Sequence, residues 1–330
     1  MRKELAVVCG AGGFIGGHLV ARLLEAGRYR VRGVDVKPFG DWFQRFARCD
    51  NRVLDLRLKA SCEEAVADAA IVYNLAADMG GMGFIERNKA LCMLSVLVNT
   101  HLLVAARDAG VRRFFYASSA CVYAADKQRA TDNPGLREAD AYPAMPEDGY
   151  GWEKLFSERM CRHFHEDFGL EVRVARFHNV YGPHGTYDGG REKAPAAICR
   201  KVHQAVRRRD PAIQIWGDGA QTRSFMFIDD CIEGIERLMA SDVREPINLG
   251  SSEMVSVNEL VSIVERIAGV TLQRRYDLSA PKGVRGRNSE NTRIRQLLGW
   301  EPATRLADGM ARTYRWIAGE LDRASARAVA

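Results

Sequence analysis

The chain is short of the features that mark metal-binding and secreted proteins. It has only seven histidines, none clustered at zinc spacing. Its eight cysteines (Cys9, Cys49, Cys62, Cys92, Cys121, Cys161, Cys199 and Cys231) contain no C-x-x-C pair. Neither a metal site nor a disulfide framework is expected. Free thiols in apolar surroundings and a reducing cytoplasm are. No apolar run approaches membrane-spanning length. The opening MRKELAVVCGAGG has two early charges and a short apolar run leading into glycines, which reads as a first strand rather than a secretory signal. Internal repeats and low-complexity tracts are missing. The net charge is a mild +6, and no nucleic-acid-binding module accompanies it, so neither nucleic acid nor membrane is expected as a partner. The densest basic run, Arg207-Arg208-Arg209, is either a solvated helix end or a contribution to binding an anionic substrate.

What is present is 330 residues, 47% hydrophobic and 27% charged. That suffices for one large domain, or one domain plus a lobe. Short apolar runs at 5–8, 29–34, 52–55, 71–75, 113–118 and 172–176 read as strands. They alternate with helical patterns, the clearest at 15–25, 91–109 and 150–168. This is the pattern of an α/β fold with a Rossmann-like doubly wound parallel sheet. Beyond Asn179 the pattern becomes irregular. A Gly-rich loop spans 182–190, and helices are expected at 195–206, 257–267 and 311–321. Strands at 224–228 and 246–249 are expected to return to the main sheet, and the tail from Ala324 to Ala330 to fray. The chain then divides into a Rossmann domain, 1–178 plus 224–250, and a smaller C-terminal α/β substrate lobe, 179–223 plus 251–330.

Gly10-x-x-Gly13-x-x-Gly16, with Phe14 and Ile15 inside it, falls between the first strand and the first helix. Glycine there permits a tight turn and close approach to a pyrophosphate, and the helix N-terminus supplies N–H groups. Asp35 ends the next strand, where a carboxylate accepts from both ribose hydroxyls and repels a 2′-phosphate. NAD is thus favoured over NADP, with Lys37 pulling slightly the other way. Asp55 either contacts the adenine or caps a helix. Ala76, past the end of the fourth strand, lies where backbone would pass the pyrophosphate.

Tyr150 and Lys154 stand four apart on one helical face. An ammonium beside a phenol lowers the phenol's pKa and can hold a ribose hydroxyl. Alone, such a pair is as readily a surface pair. Ser118-Ser119 argues otherwise, because it ends a strand that should open on the same crevice.

The Gly10 loop, the serine stretch and Tyr150-x-x-x-Lys154 together resemble the extended short-chain dehydrogenase/reductase superfamily, in its NAD-dependent epimerase/dehydratase family. LAADMGGMGF (75–84), FFYASSACVY (114–123), RFHNVYGPHGT (176–186), GGREKAPAA (189–197), WGDGAQTRSF (216–225) and GVRGRNS (283–289) resemble, more narrowly, the GDP-mannose 3,5-epimerases. The likeness runs from about residue 5 to about residue 320. It implies oxidation of a nucleotide sugar at C4 with NAD, inversion at C3 and C5 beside the ketone, and return of the hydride. It implies Tyr150, Lys154 and Ser119 at the oxidation site, and Cys121 and Lys193 as the acid/base pair. Without it, Cys121 reads as a core thiol and Lys193 as an exposed loop lysine. It further implies Gly80 and Gly81 close to the hexose, Asn179 on the sugar nucleotide, and Lys201, Gln221 and Arg287 on the diphosphate. Arg285 is a neighbour of less defined role, and Lys201 alone could be a helix-surface charge. A homodimer through the helices at 91–109 and 150–168 is expected.

The chain departs from the family at His184–Asp188 and at Val206–Ile213, both expected near the nucleotide end. Epimerisation at one centre, or a 4-epimerase or dehydratase acting on another nucleotide hexose, is therefore an alternative. A regulator that only binds the nucleotide is a further one, although Tyr150, Lys154 and Cys121 are all present.

Overall fold

A computed structural model describes residues 3–329. The first half is six β-strands and the helices between them. They are β1 (Leu5–Cys9), α1 (Phe14–Ala26), β2 (Arg30–Asp35), β3 (Asp50–Val53), α2 (Lys59–Val66), β4 (Ala69–Asn74), α3 (Met82–Arg87), α4 (Lys89–Met93), α5 (Ser95–Asp108), β5 (Arg113–Ser119), α6 (Tyr150–Phe168) and β6 (Glu171–Phe177). The second half adds β7 (Val180–Tyr181), α7 (Ala194–Arg208), β8 (Ala212–Trp216), β9 (Thr222–Ser224), β10 (Met226–Phe227), α8 (Ile228–Ala240), β11 (Ile247–Leu249), β12 (Met254–Ser256), α9 (Val257–Ala268), β13 (Gln273–Asp277), β14 (Gly286–Arg287), α10 (Thr292–Leu298) and α11 (Leu306–Val329).

Seven strands form one parallel sheet in the order β11-β6-β5-β4-β1-β2-β3. Every residue of β1 is buried, as expected of a strand covered on both faces. One face packs on α2, α5 and α6 through Val7, Val72, Leu102, Phe114 and Val172. The other packs on α1 and α8 through Val8, Leu19, Phe115, Ile232 and Ile235. The chain leaves β1 for β2 on one side and returns to β4 on the other, so the strand order reverses at β1.

The sequence reading meets several corrections here. The segment 224–228 does not rejoin the main sheet. Thr222–Ser224 pairs with β12 and β14, and Met226–Phe227 with β7. Ile228 already begins a helix, with Asp229 and Asp230 in its first turn favouring the start there. Only Ile247–Leu249 extends the sheet, beside β6. The helix expected at 91–109 starts at Lys89 and tightens at Leu94, whose carbonyl accepts from Leu97 N–H, an i to i+3 bond. Lys89–Asp108 is also long and apolar enough to cross a membrane, contrary to the reading above. Here Val98, Leu102, Leu103, Ala105 and Ala106 bury one side of it in the core. The C-terminal helix does not fray at Ala324 but continues to Val329. Ala330 lies outside the described residues.

Candidate active site

The carboxyl ends of β1, β2, β4 and β5 open on one crevice around the reversal at β1. Gly10 follows β1 with φ +83°, a conformation that suits glycine, and a Cβ there would lie 3.0 Å from the Leu75 and Ala76 backbone. A Cβ on Gly16 would lie 2.1 Å from the Gly10 carbonyl oxygen, so α1 can start hard against the loop only with glycine at that position. Gly13 is the N-cap of α1, and no side chain caps it. The N–H groups of Phe14, Ile15 and Gly16 therefore point out of the helix start without intrahelical acceptors. Asp35, 7% exposed, accepts from Gly12 N–H at 3.0 Å on one oxygen and Lys37 N–H at 3.0 Å on the other. Each oxygen keeps a lone pair for a ribose hydroxyl. The Lys37 ammonium is engaged by the Gly12 carbonyl at 3.3 Å. A side-chain-free cradle, an open helix start and a buried carboxylate fit NAD. Asp55 accepts from Arg57, backbone and guanidinium, at 2.7–3.1 Å, and that bonding lowers its pKa. It does not cap α2, whose N-cap is Leu58.

Beside this crevice lies a cavity of about 390 Å³. Its walls include Gly80, Gly81, Ser119, Cys121, Tyr150, Asn179, Lys193, Lys201, Gln221 and Arg287, which gathers every expected substrate residue into one space. Tyr150 opens α6. A Cβ on the next residue, Gly151, would lie 2.4 Å from the Cys121 carbonyl oxygen. The helix start and the Cys121 turn thus interlock. Ser119 Oγ accepts from Cys121 N–H at 3.2 Å, and the Ser119 hydroxyl stands beside the Tyr150 phenol in the cavity wall.

Burial pushes the Tyr150 pKa well up, the charges of Cys121 and Glu153 add to it, and the neighbouring Ser119 hydroxyl opposes them. Lys154 stands where a cation favours the phenolate. Lys154 is buried with its ammonium 5.5 Å from the Tyr150 ring centre, but Glu153 Oε2 stands 3.6 Å from that ammonium and offsets its charge.

Lys193 faces Cys121 from the N-cap of α7. Burial lowers its pKa, and the Cys121 charge works against that shift. It is a half-buried cavity residue, not an exposed loop lysine. Gly81 seats its loop. The Gly81 N–H donates to the Arg191 carbonyl at 3.0 Å, and a Cβ would lie 2.5 Å from the Glu192 carbonyl oxygen. The close approach at Gly81 is thus made by the chain's own backbone, and at Gly80 by the Phe84 side chain.

At the far end, Gln221 donates to the Trp216 carbonyl at 2.8 Å, while its Oε1 is buried without a protein partner among the described residues. Such an oxygen suits a donor on a ligand. Lys201 donates to the Gln214 carbonyl at 3.0 Å, and burial lowers its pKa. Asn179 Nδ2 donates to the Ser224 carbonyl at 3.1 Å. Arg287 is not directed at the far end as expected. Its Nη1 stands 3.5 Å from Cys121 Sγ, with Gln128 and Glu147 on its other nitrogens. Arg285 pairs with Asp218 at 2.9 Å.

The departures from the family lie elsewhere than expected. His184 and Tyr187 pack on Trp316 of α11, and Val206–Ile213 forms the end of α7 and the start of β8; none of these residues lines the cavity. Arg207 and Arg208 end α7, with Arg207 paired to Asp322, which matches the solvated helix end. Sequence reasoning missed Arg223, Gln128 and Glu147. Arg223 lines the cavity, and burial lowers its pKa to about 10. Its one local signal was its place two residues after Gln221, since alternate residues of an extended run share a side.

A sequence profile of the NAD dependent epimerase/dehydratase family matches residues 6–250. A "GDP-mannose 3,5-epimerase 1" of Oryza sativa subsp. indica is 47% identical over 323 residues, covering 98% of this chain and 84% of its own length. The "GDP-mannose 3,5-epimerase" of Arabidopsis thaliana is 47% identical over 322 residues, covering 97% and 84%. Among solved structures, UDP-glucuronic acid 4-epimerase from Bacillus cereus in complex with UDP-glucuronic acid and NAD superposes with a TM-score of 0.82 at 26% identity, over 96% of this chain and 100% of that one.

Proposed function

The chain belongs to the NAD dependent epimerase/dehydratase family, and from that premise we propose that it inverts GDP-D-mannose at C3 and C5 through a transient C4 ketone, giving GDP-L-galactose. One observation carries the reading: Cys121 and Lys193 line the same cavity as Tyr150 and Ser119. A simple 4-epimerase has no use for that second pair.

NAD, when bound along Gly10–Gly16, Asp35 and Ala76, supplies the acceptor that takes the C4 hydrogen with its electron pair and later gives it back. Tyr150 takes the proton of the C4 hydroxyl, with Ser119 holding the same oxygen. Burial of the phenol opposes its anion, so Tyr150 needs a neighbouring positive charge to act as the base. Lys154 keeps a positive charge close by. The C4 ketone acidifies the C–H bonds at C3 and C5. Cys121 and Lys193, on facing walls, remove a proton from one side of the ring and return one to the other. Gln221, Lys201 and Asn179 hold the nucleotide end.

The exposed side chains Met93, Leu97, Trp152, Phe156 and Phe168 lie on the neighbouring helices α4, α5 and α6, with Leu94 exposed at the joint of α4 and α5. They support a homodimer through that face. Eight free, buried cysteines support a reducing compartment, the cytoplasm. The division into 1–178 plus 224–250 for NAD and 179–223 plus 251–330 for the sugar nucleotide completes the reading.

The test is incubation of purified protein with GDP-mannose, without added NAD, followed by NMR of the product. GDP-L-galactose is expected. A product inverted at one centre alone, or no product, rejects the 3,5-epimerase reading.

A further inference from the structure

We propose that Glu147 is a positioning residue for the Cys121 thiol: it anchors the Arg287 guanidinium against the sulfur and balances the charge there. The proposal deepens the epimerase reading and rests on it only for its consequence in turnover.

Arg287 is buried, and its three nitrogens face three partners. Nε donates to Gln128 Oε1 at 2.7 Å, Nη2 donates to Glu147 Oε1, and Nη1 faces Cys121 Sγ at 3.5 Å. A planar fork fixed at two points cannot turn its third away. Glu147 is tied to the same turn from the other side, since its N–H donates to the Cys121 carbonyl at 3.1 Å. Its side chain lines the cavity, and its Oε2 is buried with no hydrogen-bond partner among the described residues. A carboxylate left half-satisfied at a cavity wall contributes poorly to stability and calls for another reason to be there.

The charges around the sulfur supply that reason. Arg287 reaches it from β14, while Arg223 of β9 and Lys193 at the start of α7 line the same cavity. Tyr150 faces the sulfur from α6, and Cys92 from α4. Three cationic side chains thus surround the Cys121 side of the cavity. Glu147 is the carboxylate paired with the nearest of them, so it has two opposed effects. As an anchor it keeps the guanidinium on the sulfur; as an anion it weakens the cationic field.

Two substitutions separate these effects. Glu147→Gln keeps an oxygen for Nη2 and removes the negative charge, so Cys121 should hold more thiolate. Glu147→Ala removes the charge and the anchor together; loss of the guanidinium from 3.5 Å outweighs loss of the carboxylate behind it, so Cys121 should hold less. A purely structural role would not give opposite signs.

The experiment is the initial rate of Cys121 alkylation by iodoacetamide at pH 7 in the NAD-loaded protein, read by peptide mass spectrometry. Cys121 is the one cysteine among the cavity's lining residues. Glu147→Gln is expected to raise the rate by about three- to tenfold and Glu147→Ala to lower it by a similar factor. An unchanged or lower rate in Glu147→Gln, or movement of both variants in one direction, overturns the proposal. Should Glu147→Ala fail to fold, the near-isosteric Glu147→Gln decides alone. No sugar is present, so failure here is separate from failure of the epimerase reading.

Discussion

Lys193 sits where an ordinary lysine would be a poor acid/base. An exposed ammonium holds its proton to a pH far above neutrality. Here burial lowers the pKa, and only partly does the charge of Cys121 restore it. The sign of the pH dependence follows. The ammonium is present below the lowered pKa and is lost as pH rises through it. Turnover that needs the ammonium therefore falls on the alkaline side, earlier than the ordinary lysine pKa of 10.5 would place it. Lys193→Ala is expected to lower kcat by about 10²–10⁴-fold and to remove that alkaline fall from the kcat–pH profile. An unchanged profile would assign the proton transfer to another group. At this scale the sequence was informative for Tyr150, Cys121 and Lys193, because each lies in a run of neighbours that resembles the family. It was silent on Glu147, whose pairing with Arg287 joins residues 140 apart and leaves no local signature.

The helix α6 does more than present Tyr150 and Lys154. Its inward face also carries Glu153 and Glu158. Glu158 pairs with Arg176 of β6 at 2.7 Å, both buried, and accepts from Ser118 of β5. This ties α6 to the two strands whose ends reach the crevice. Removing one partner of a buried ion pair leaves the other uncompensated. Glu158→Gln is thus expected to cost about 3–5 kcal/mol in urea unfolding. A loss under 1 kcal/mol would show that the arginine finds water or another acceptor. Long elements such as α6 were legible, since nineteen residues hold a full pattern and Gly169 in the left-handed conformation stops it. The two- and three-residue strands around 222–227 were not. So short a run carries too little alternation to say which sheet it joins, and tertiary pairing decides.

The whole molecule joins a Rossmann sheet to a lobe that closes one cavity from both sides. Cys121 and Tyr150 come from the sheet side, and Lys193, Lys201 and Gln221 from the lobe. The face of α4, α5 and α6 lies apart from that opening and exposes aromatic and aliphatic side chains. Phe156 of α6 is 51% exposed. Phe156→Glu is expected to convert a dimer to a monomer in size-exclusion chromatography with light scattering. A parent protein that is already monomeric would discard the dimer. The sheet was legible from strand spacing alone, and the cavity from motifs scattered over the chain. The seating of the Lys193 loop on Gly81 was not, because only the fold reveals what a side chain there would strike.

The proposed chemistry has the cavity's thiol and amine exchange sugar protons with solvent beside a transient ketone. Its most direct test is NMR of the nucleotide sugar after incubation in deuterated water with the parent protein and with Cys121→Ala. The parent is predicted to place deuterium at C3 and C5. Cys121→Ala is predicted to retain NAD and leave both carbons protonated. Deuterium at both positions in Cys121→Ala at the parent's rate would contradict the account.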